Sequence, residues 1–252
     1  MPQRKSGGIC PCRAYVCRRY SYGTPDSFWC MHGRRKRVSA FEWCQGEEAK
    51  EILPSMPIDQ QYHFGEKAGE ILRQMLSIEA HALSNKWAEI YGQKVQHYLA
   101  NYRKFGAKLF GETLLLDYLD RHQTLLNNRP MHLLHGNYQT DNMVIFENRL
   151  SILGFQGSGL VDSYYTLTGA MVSAETSPAF ATGQLHRYFG AKIPQDFWAL
   201  NAFYLAAESL NAFTVAVALG EEEVAFCQQM SQKMLSWFDD FRRLEPDWFL
   251  EF

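Results

Sequence analysis

A polar loop followed by a β-hairpin interrupts a chain that is otherwise helical. Two apolar runs, residues 143–146 and 150–155, flank a turn at Glu147 and Asn148 and predict the two strands. A two-stranded hairpin is only marginally stable alone, so we expect it to pack on the surrounding helices. The loop that enters it, residues 135–142, is a natural place for functional residues, because loops on a rigid scaffold often carry binding and catalysis.

Apolar residues recur at helical spacing on both sides of this hairpin. Ala68, Leu72 and Met75, for example, share one face of a helix that starts near Ile58. The sequence therefore predicts a predominantly helical α+β fold. The predicted helices span residues 47–53, 58 onward, 85–105, 112–126, 162–174, 178–189, 195–219 and 221–243.

Charge is concentrated at the N-terminal end. The chain has 252 residues and a formal net charge of −2. Residues 1–40 contain nine basic residues and one acidic residue, which gives +8 there and −10 in the remainder. These 40 residues show neither a helical nor a strand period, and we expect them to be poorly ordered or a remnant of a larger unit. We therefore divide the chain into a basic, cysteine-rich segment at 1–40 and a helical body at 41–252.

The basic segment suggests two further functions. Four cysteines before residue 31 could bind zinc, but tetrahedral thiolate sites usually have paired cysteines, and two such pairs are missing here. The basic run at residues 34–37 could bind nucleic acid or an acidic membrane, yet no recognised nucleic-acid module follows it. We expect neither partner.

The sequence predicts a cytoplasmic protein with reduced cysteines. The basic first 30 residues lack the apolar run of about 7–15 residues that a secretory signal contains. The long apolar stretch at 197–219 includes Asn201, Glu208 and Asn211, and a charged residue is costly inside a membrane span. We interpret this stretch as a buried core helix.

The loop and the end of the hairpin form a recognisable motif. They read His135-Gly136-Asn137-Tyr138-Gln139-Thr140-Asp141-Asn142 and Leu153-Gly154-Phe155. The motif resembles that of the aminoglycoside phosphotransferase and choline kinase family, in which the loop reads His-Gly-Asp-x-His-x-x-Asn and the hairpin ends in Ile-Asp-Phe. The resemblance covers residues 41–252 and includes the segments 41–49 and 177–183. It implies the C-terminal lobe of a protein-kinase-like fold, with residues 1–40 in place of a reduced N-terminal lobe.

The resemblance implies transfer of a phosphoryl group from ATP to a hydroxyl of a small molecule, with Mg²⁺ as cofactor. Asn142 stands where the family has its metal-binding Asn. Asn137 replaces the catalytic Asp and Gly154 replaces a metal-binding Asp, so a general base and a metal-binding carboxylate are missing. His135 opens the motif and is a candidate catalytic residue, and Asp141 is a further candidate metal ligand.

Further candidate residues lie outside the loop. Trp43 and Cys44 match the family's hinge between lobes, which implies a place beside the nucleotide. Glu175 and Glu208 are candidates for binding a cationic substrate, because an acidic body attracts cations. Asp162 matches a later family Asp that is either catalytic or structural.

Two functions fit these substitutions. The chain is either a small-molecule phosphotransferase with weak or no activity, or a pseudoenzyme (a pseudokinase) that acts as a small-molecule-binding or protein-interaction module. A nucleic-acid binder with a basic N-terminal segment is a third alternative.

Overall fold

The protein has a mainly helical α+β fold with small antiparallel sheets, which confirms the predicted fold class. The computed structural model describes residues 29–33, 36–40, 43–76, 86–155, 158–190 and 192–252, and of residues 29–40 it describes only the backbone. The zinc and nucleic-acid alternatives concern side chains that lie outside the described residues.

Seven strands and nine helices lie in the described ranges. The strands are β1 (Trp29–Gly33), β2 (Lys36–Ala40), β3 (Glu47–Glu48), β4 (Met131–Leu134), β5 (Met143–Phe146), β6 (Arg149–Ile152) and β7 (Gly159–Asp162). The helices are α1 (Ala49–Ile52), α2 (Ile58–Leu76), α3 (Trp87–Tyr102), α4 (Glu112–His122), α5 (Ser163–Thr166), α6 (Thr168–Thr176), α7 (Pro178–Phe189), α8 (Gln195–Leu219) and α9 (Glu221–Trp237). Short 3₁₀ turns lie at Leu53–Ser55, Gln123–Leu126 and Thr140–Asn142.

The predicted hairpin is present as β5 and β6, with Met143 opposite Ile152. β3 adds a third strand on the other side of β5, with Glu47 opposite Ile145. The helix predicted from residue 47 therefore begins two residues later, because the first two residues pair with β5. β4 and β7 form a separate two-stranded antiparallel sheet.

Two segments differ most from the sequence predictions. β1 and β2 form an antiparallel hairpin in a region for which no strand was predicted. The last helix ends at Trp237, six residues before its predicted end. Asp239, Asp240 and Phe241 have φ angles of 48°, 54° and 64°. Such left-handed residues cannot continue a right-handed helix, and the turn stacks the ring of Phe241 on that of Tyr118, with centroids 4.2 Å apart.

Helix α8 lies at the centre of the helical packing. It contacts α3, α4 and α9, and its buried side chains include Phe203, Ala207 and Leu210. Among the described helices it alone is long and apolar enough, by length and composition, to cross a membrane. Packing on these three helices accounts for its buried apolar residues. Whether α8 is a core helix rather than a membrane span is not tested by this packing, and the core helix stays a prediction.

Helices α2 and α7 pack with their backbones in direct contact. A Cβ atom added to Gly65 or Gly69 of α2, or to Gly183 of α7, would lie less than 3.0 Å from a carbonyl oxygen of the other helix, a distance that real Cβ atoms essentially never show. Gly65 and Gly69 are four residues apart and so share one helical face. This helix–helix contact was not predicted, although the four-residue spacing of the two glycines is visible in the sequence.

We predict that Gly65→Ala lowers the free energy of unfolding by about 1–3 kcal/mol, because an extra methyl group in a tight contact forces the backbones apart. Gly92→Ala is the matched control. Gly92 lies in α3 with nothing within 4 Å of an added Cβ, and Ala is favoured over Gly inside a helix by about 0.5–1 kcal/mol. Urea unfolding measures both changes, and equal effects of the two substitutions would contradict the close packing.

Candidate functional site

Hydrogen bonds fix the loop between β4 and β5 to two helices. Tyr138 is buried, and its hydroxyl donates to the carbonyl oxygen of Ala68 on α2 over 2.7 Å. The backbone N–H of Thr140 donates to the hydroxyl of Ser173 on α6 over 3.1 Å. The 3₁₀ turn Thr140–Asn142 then leads directly into β5. The loop is therefore anchored on both sides, which fixes the directions of its side chains.

His135 joins the start of the loop to the end of the hairpin. The side chain is fully buried. Its Nε2 lies against the carbonyl oxygen of Leu153, so Nε2 carries the proton and donates it, while Nδ1 accepts from the N–H of Asn137 over 3.3 Å. Burial lowers the pKa of His135 below its ordinary value, which favours this neutral form. Both ring nitrogens of His135 thus have backbone partners, and a catalytic role for this residue stays a prediction.

The structure brings together the three positions at which the resemblance implies chemistry. The side-chain amide of Asn142 donates to the carbonyl oxygen of Asn137 over 2.9 Å. Gly154 has a φ of +81°, and a Cβ atom built there would lie 2.8 Å from Oδ1 of Asn142. The loop and the end of the hairpin thus form one compact site.

The residues of this site do not fit a magnesium ion. Mg²⁺ is usually bound by one or two carboxylates together with the substrate phosphates. Asn142 offers a neutral amide oxygen, and Asn137 and Gly154 offer no carboxylate. Oδ2 of Asp141 lies 3.6 Å from Nζ of Lys50 on α1, so this carboxylate is paired with a lysine, whereas the amide of Asn142 contacts Asn137. Among the described residues, no group of three or more His, Cys, Asp or Glu side chains could hold a metal ion.

Trp43 and Cys44 lie in the segment that leads into β3, and β3 pairs with β5, the strand that follows the loop. Trp43 is 82% exposed, and Cys44 is partly exposed. Strand pairing therefore connects this segment to the site, and the nucleotide-binding role of the two residues stays a prediction.

The two candidate substrate-binding carboxylates each have a lysine partner. Oε2 of Glu175 on α6 lies 2.5 Å from Nζ of Lys233. Oε1 of Glu208 on α8 lies 2.9 Å from Nζ of Lys94. Neither lysine was predicted, and no local pattern marks them, because their partners are distant in the chain.

Asp162 is a structural residue in this fold. Its carboxylate is fully buried and pairs with Arg129 at 3.0 and 3.1 Å. It also accepts from the Tyr204 hydroxyl at 2.7 Å and from the N–H of Tyr164 at 3.2 Å. An Asp directly before a short helix is a typical N-cap, so the local sequence contained this signal.

We predict that His135 makes stability fall as the pH drops below about 6.5. Because its pKa is lower in the folded protein, the unfolded chain binds a proton first on acidification, and the folded state loses stability. His135→Gln retains a donor for Leu153 but cannot titrate in this range. Urea unfolding between about pH 5 and pH 8 should show a weaker pH dependence in the variant. His186, whose pKa is also lowered by burial, is present in both proteins and does not contribute to the difference between them. An unchanged pH dependence in His135→Gln would therefore contradict the predicted effect of His135.

Solved structures similar to this chain include three small-molecule kinases or kinase-family proteins. A choline/ethanolamine kinase family protein from Mesorhizobium loti has a TM-score of 0.65 and 13% identity, over 86% of this chain and 76% of that chain. Aminoglycoside phosphotransferase APH(2'')-Ib with ADP bound has a TM-score of 0.55 and 14% identity, over 82% and 76%. APH(2'')-IIa in complex with gentamicin has a TM-score of 0.53 and 14% identity, over 89% and 76%. These similarities confirm the predicted protein-kinase-like fold.

Sequence comparison gives the family. No curated protein matches the chain. The family model described as "Phosphotransferase enzyme family" matches residues 8–199, which is more than half of the chain and includes the whole loop and hairpin. This match confirms the resemblance inferred from the loop motif. The chain belongs to the phosphotransferase enzyme family.

Proposed function

We propose that this chain is a phosphotransferase-family protein in which Mg²⁺-dependent phosphoryl transfer from ATP to a small-molecule hydroxyl is weak or absent. The observation that carries the proposal is the direct contact between Asn142 and the positions of Asn137 and Gly154, neither of which supplies a carboxylate. The type of reaction is that of the family, and the missing groups are the carboxylates at positions 137 and 154.

Both missing carboxylates matter for phosphoryl transfer. A general base typically contributes about 10²–10⁴-fold to a rate, and the neutral amide of Asn137 cannot accept the substrate proton. Phosphoryl transfer also depends on charge stabilisation by metal ions. A glycine at 154 leaves Asn142 without an anionic neighbour for such an ion. Asp141 does not replace it, because its carboxylate is paired with Lys50.

The intact loop supports a second candidate, a pseudoenzyme that binds a small molecule or a protein. The contacts of His135, Tyr138 and Thr140 hold the loop in a defined shape without the two carboxylates. The two candidates differ in turnover. An unfolding midpoint that does not change with ATP but rises with a cationic small molecule would favour the binding module.

We predict that Mg²⁺ adds nothing to the effect of ATP on the thermal unfolding midpoint. A ligand that binds only the folded state raises this midpoint by mass action. The full chain is compared with ATP in the presence of Mg²⁺, with ATP in the presence of a chelator, and with Mg²⁺ alone. A larger rise of the unfolding midpoint with ATP and Mg²⁺ than with ATP and the chelator would contradict the proposal.

Introducing a carboxylate at position 154 tests the same site from the opposite direction. Gly154→Asp and Gly154→Ala should each lower the free energy of unfolding by about 1–2 kcal/mol, because the backbone there is left-handed. Mg²⁺ should partly restore the stability of Gly154→Asp, since the new carboxylate lies beside Oδ1 of Asn142. Gly154→Ala is the control and should not respond. The same response to Mg²⁺ in both variants would contradict the inferred geometry.

A further inference from the structure

Four side chains surround the ammonium group of Lys94 between α3, α5 and α8. Nζ donates to Oε1 of Glu208 over 2.9 Å and to the hydroxyl of Tyr165 over 2.9 Å. It also lies 5.3, 5.3 and 4.9 Å from the ring centroids of Tyr91, Tyr98 and Tyr165, within the range of cation–π attraction. The ammonium group therefore has a carboxylate, a hydroxyl group and three aromatic rings as neighbours.

The carboxylate of Glu208 is held in place by groups other than Lys94. The hydroxyls of Tyr91 and Tyr165 donate to Oε1 over 3.1 and 2.9 Å, and that of Tyr98 donates to Oε2 over 3.4 Å. Burial and the negative charge of Glu208 raise the pKa of Tyr91, so this hydroxyl keeps its proton. The carboxylate of Glu208 thus has three hydrogen-bond donors in addition to Lys94.

The site is also reachable from solvent. The side chain of Lys94 is 37% exposed and that of Glu208 is 30% exposed. The Glu175–Lys233 pair provides a contrast within the same protein. Lys233 is 47% exposed and lies 5.8 Å from the ring centroid of Trp237, on its own helix. Lys94 instead meets a carboxylate and a tyrosine contributed by two other helices.

We propose that Lys94 is a tethered occupant of a binding site for a primary organic ammonium group, and that it keeps external cations away from Glu208. The ligand class follows from the neighbours. The hydroxyl of Tyr165 and the carboxylate of Glu208 accept hydrogen bonds from the ammonium group, the carboxylate neutralises its positive charge, and the tyrosine rings pack on its carbon chain. Lys94 is then the residue that decides whether a cation can use Glu208. The inference does not depend on whether the protein transfers phosphoryl groups.

Removal of the tether should open the site. Lys94→Ala shortens the side chain by three carbons and the ammonium group, and propylammonium chloride supplies that fragment. We expect propylammonium to raise the unfolding midpoint of Lys94→Ala at least about twice as much as it raises that of the wild type. The shift should level off as the propylammonium concentration increases. An effect equal to that on the wild type, or equal to that of sodium chloride at the same ionic strength, would overturn the proposal.

Two further variants separate this site from a general ionic effect. Lys233→Ala removes the lysine of the Glu175 pair, which has only one aromatic neighbour, and should respond to propylammonium as the wild type does. Lys94→Ala combined with Glu208→Gln should lose the added response, because the acceptor charge is gone. If propylammonium raised the unfolding midpoint of either variant as much as that of Lys94→Ala, the proposal would be overturned.

The wild-type chain provides a measurement that does not require a folded variant. The aromatic rings near Nζ should shift the ε-methylene proton signals of Lys94 upfield from those of the other lysines in an NMR spectrum. An ordinary lysine chemical shift would show that the ammonium group does not occupy this site, and would overturn the proposal.

Discussion

The buried carboxylate of Asp162, paired with Arg129, connects the β4–β7 sheet to helices α5 and α8. Arg129 contacts both oxygens of the carboxylate, while Tyr204 of α8 and the backbone N–H of Tyr164 in α5 use the remaining acceptor sites. Leaving one partner of such a pair alone destabilises a protein by about 3–5 kcal/mol. Asp162 also stands opposite Met131 in the β4–β7 sheet. This single carboxylate therefore fixes the strand from which the loop departs.

The same polar contacts continue into the cluster around Lys94. The hydroxyl of Tyr204, which donates to Asp162, accepts from Nε1 of Trp87 on α3 over 2.7 Å. Glu208 follows Tyr204 by four residues and so lies on the same face of α8. One face of α8 thus carries both Tyr204, which donates to Asp162, and Glu208, which accepts from Tyr91, Tyr98 and Tyr165. Each carboxylate has a cation, and this pairing allows two acids to lie among buried aromatic rings.

Local patterns in the sequence predicted the hairpin, most of the helices and the loop motif, because period and turn chemistry act over a few residues. The substitutions at Asn137 and Gly154 could also be recognised from the motif alone. The pairing of Lys94 with Glu208 could not, since these residues are 114 positions apart and neither has an unusual neighbour in sequence. The early end of α9 was missed for a related reason: its apolar period continues through residues whose backbone is left-handed in the fold. Long-range packing decided both features.

The geometry of the loop explains how the fold tolerates the loss of the family's carboxylates. Its contacts are made by the ring of His135, the hydroxyl of Tyr138, the amide of Asn142 and backbone groups, all of which are still present. At position 137 these contacts use the backbone N–H and carbonyl rather than the side chain, so they do not depend on a carboxylate there. The loop can therefore keep its shape without the carboxylates that phosphoryl transfer requires. Membership of this family does not by itself imply phosphoryl transfer.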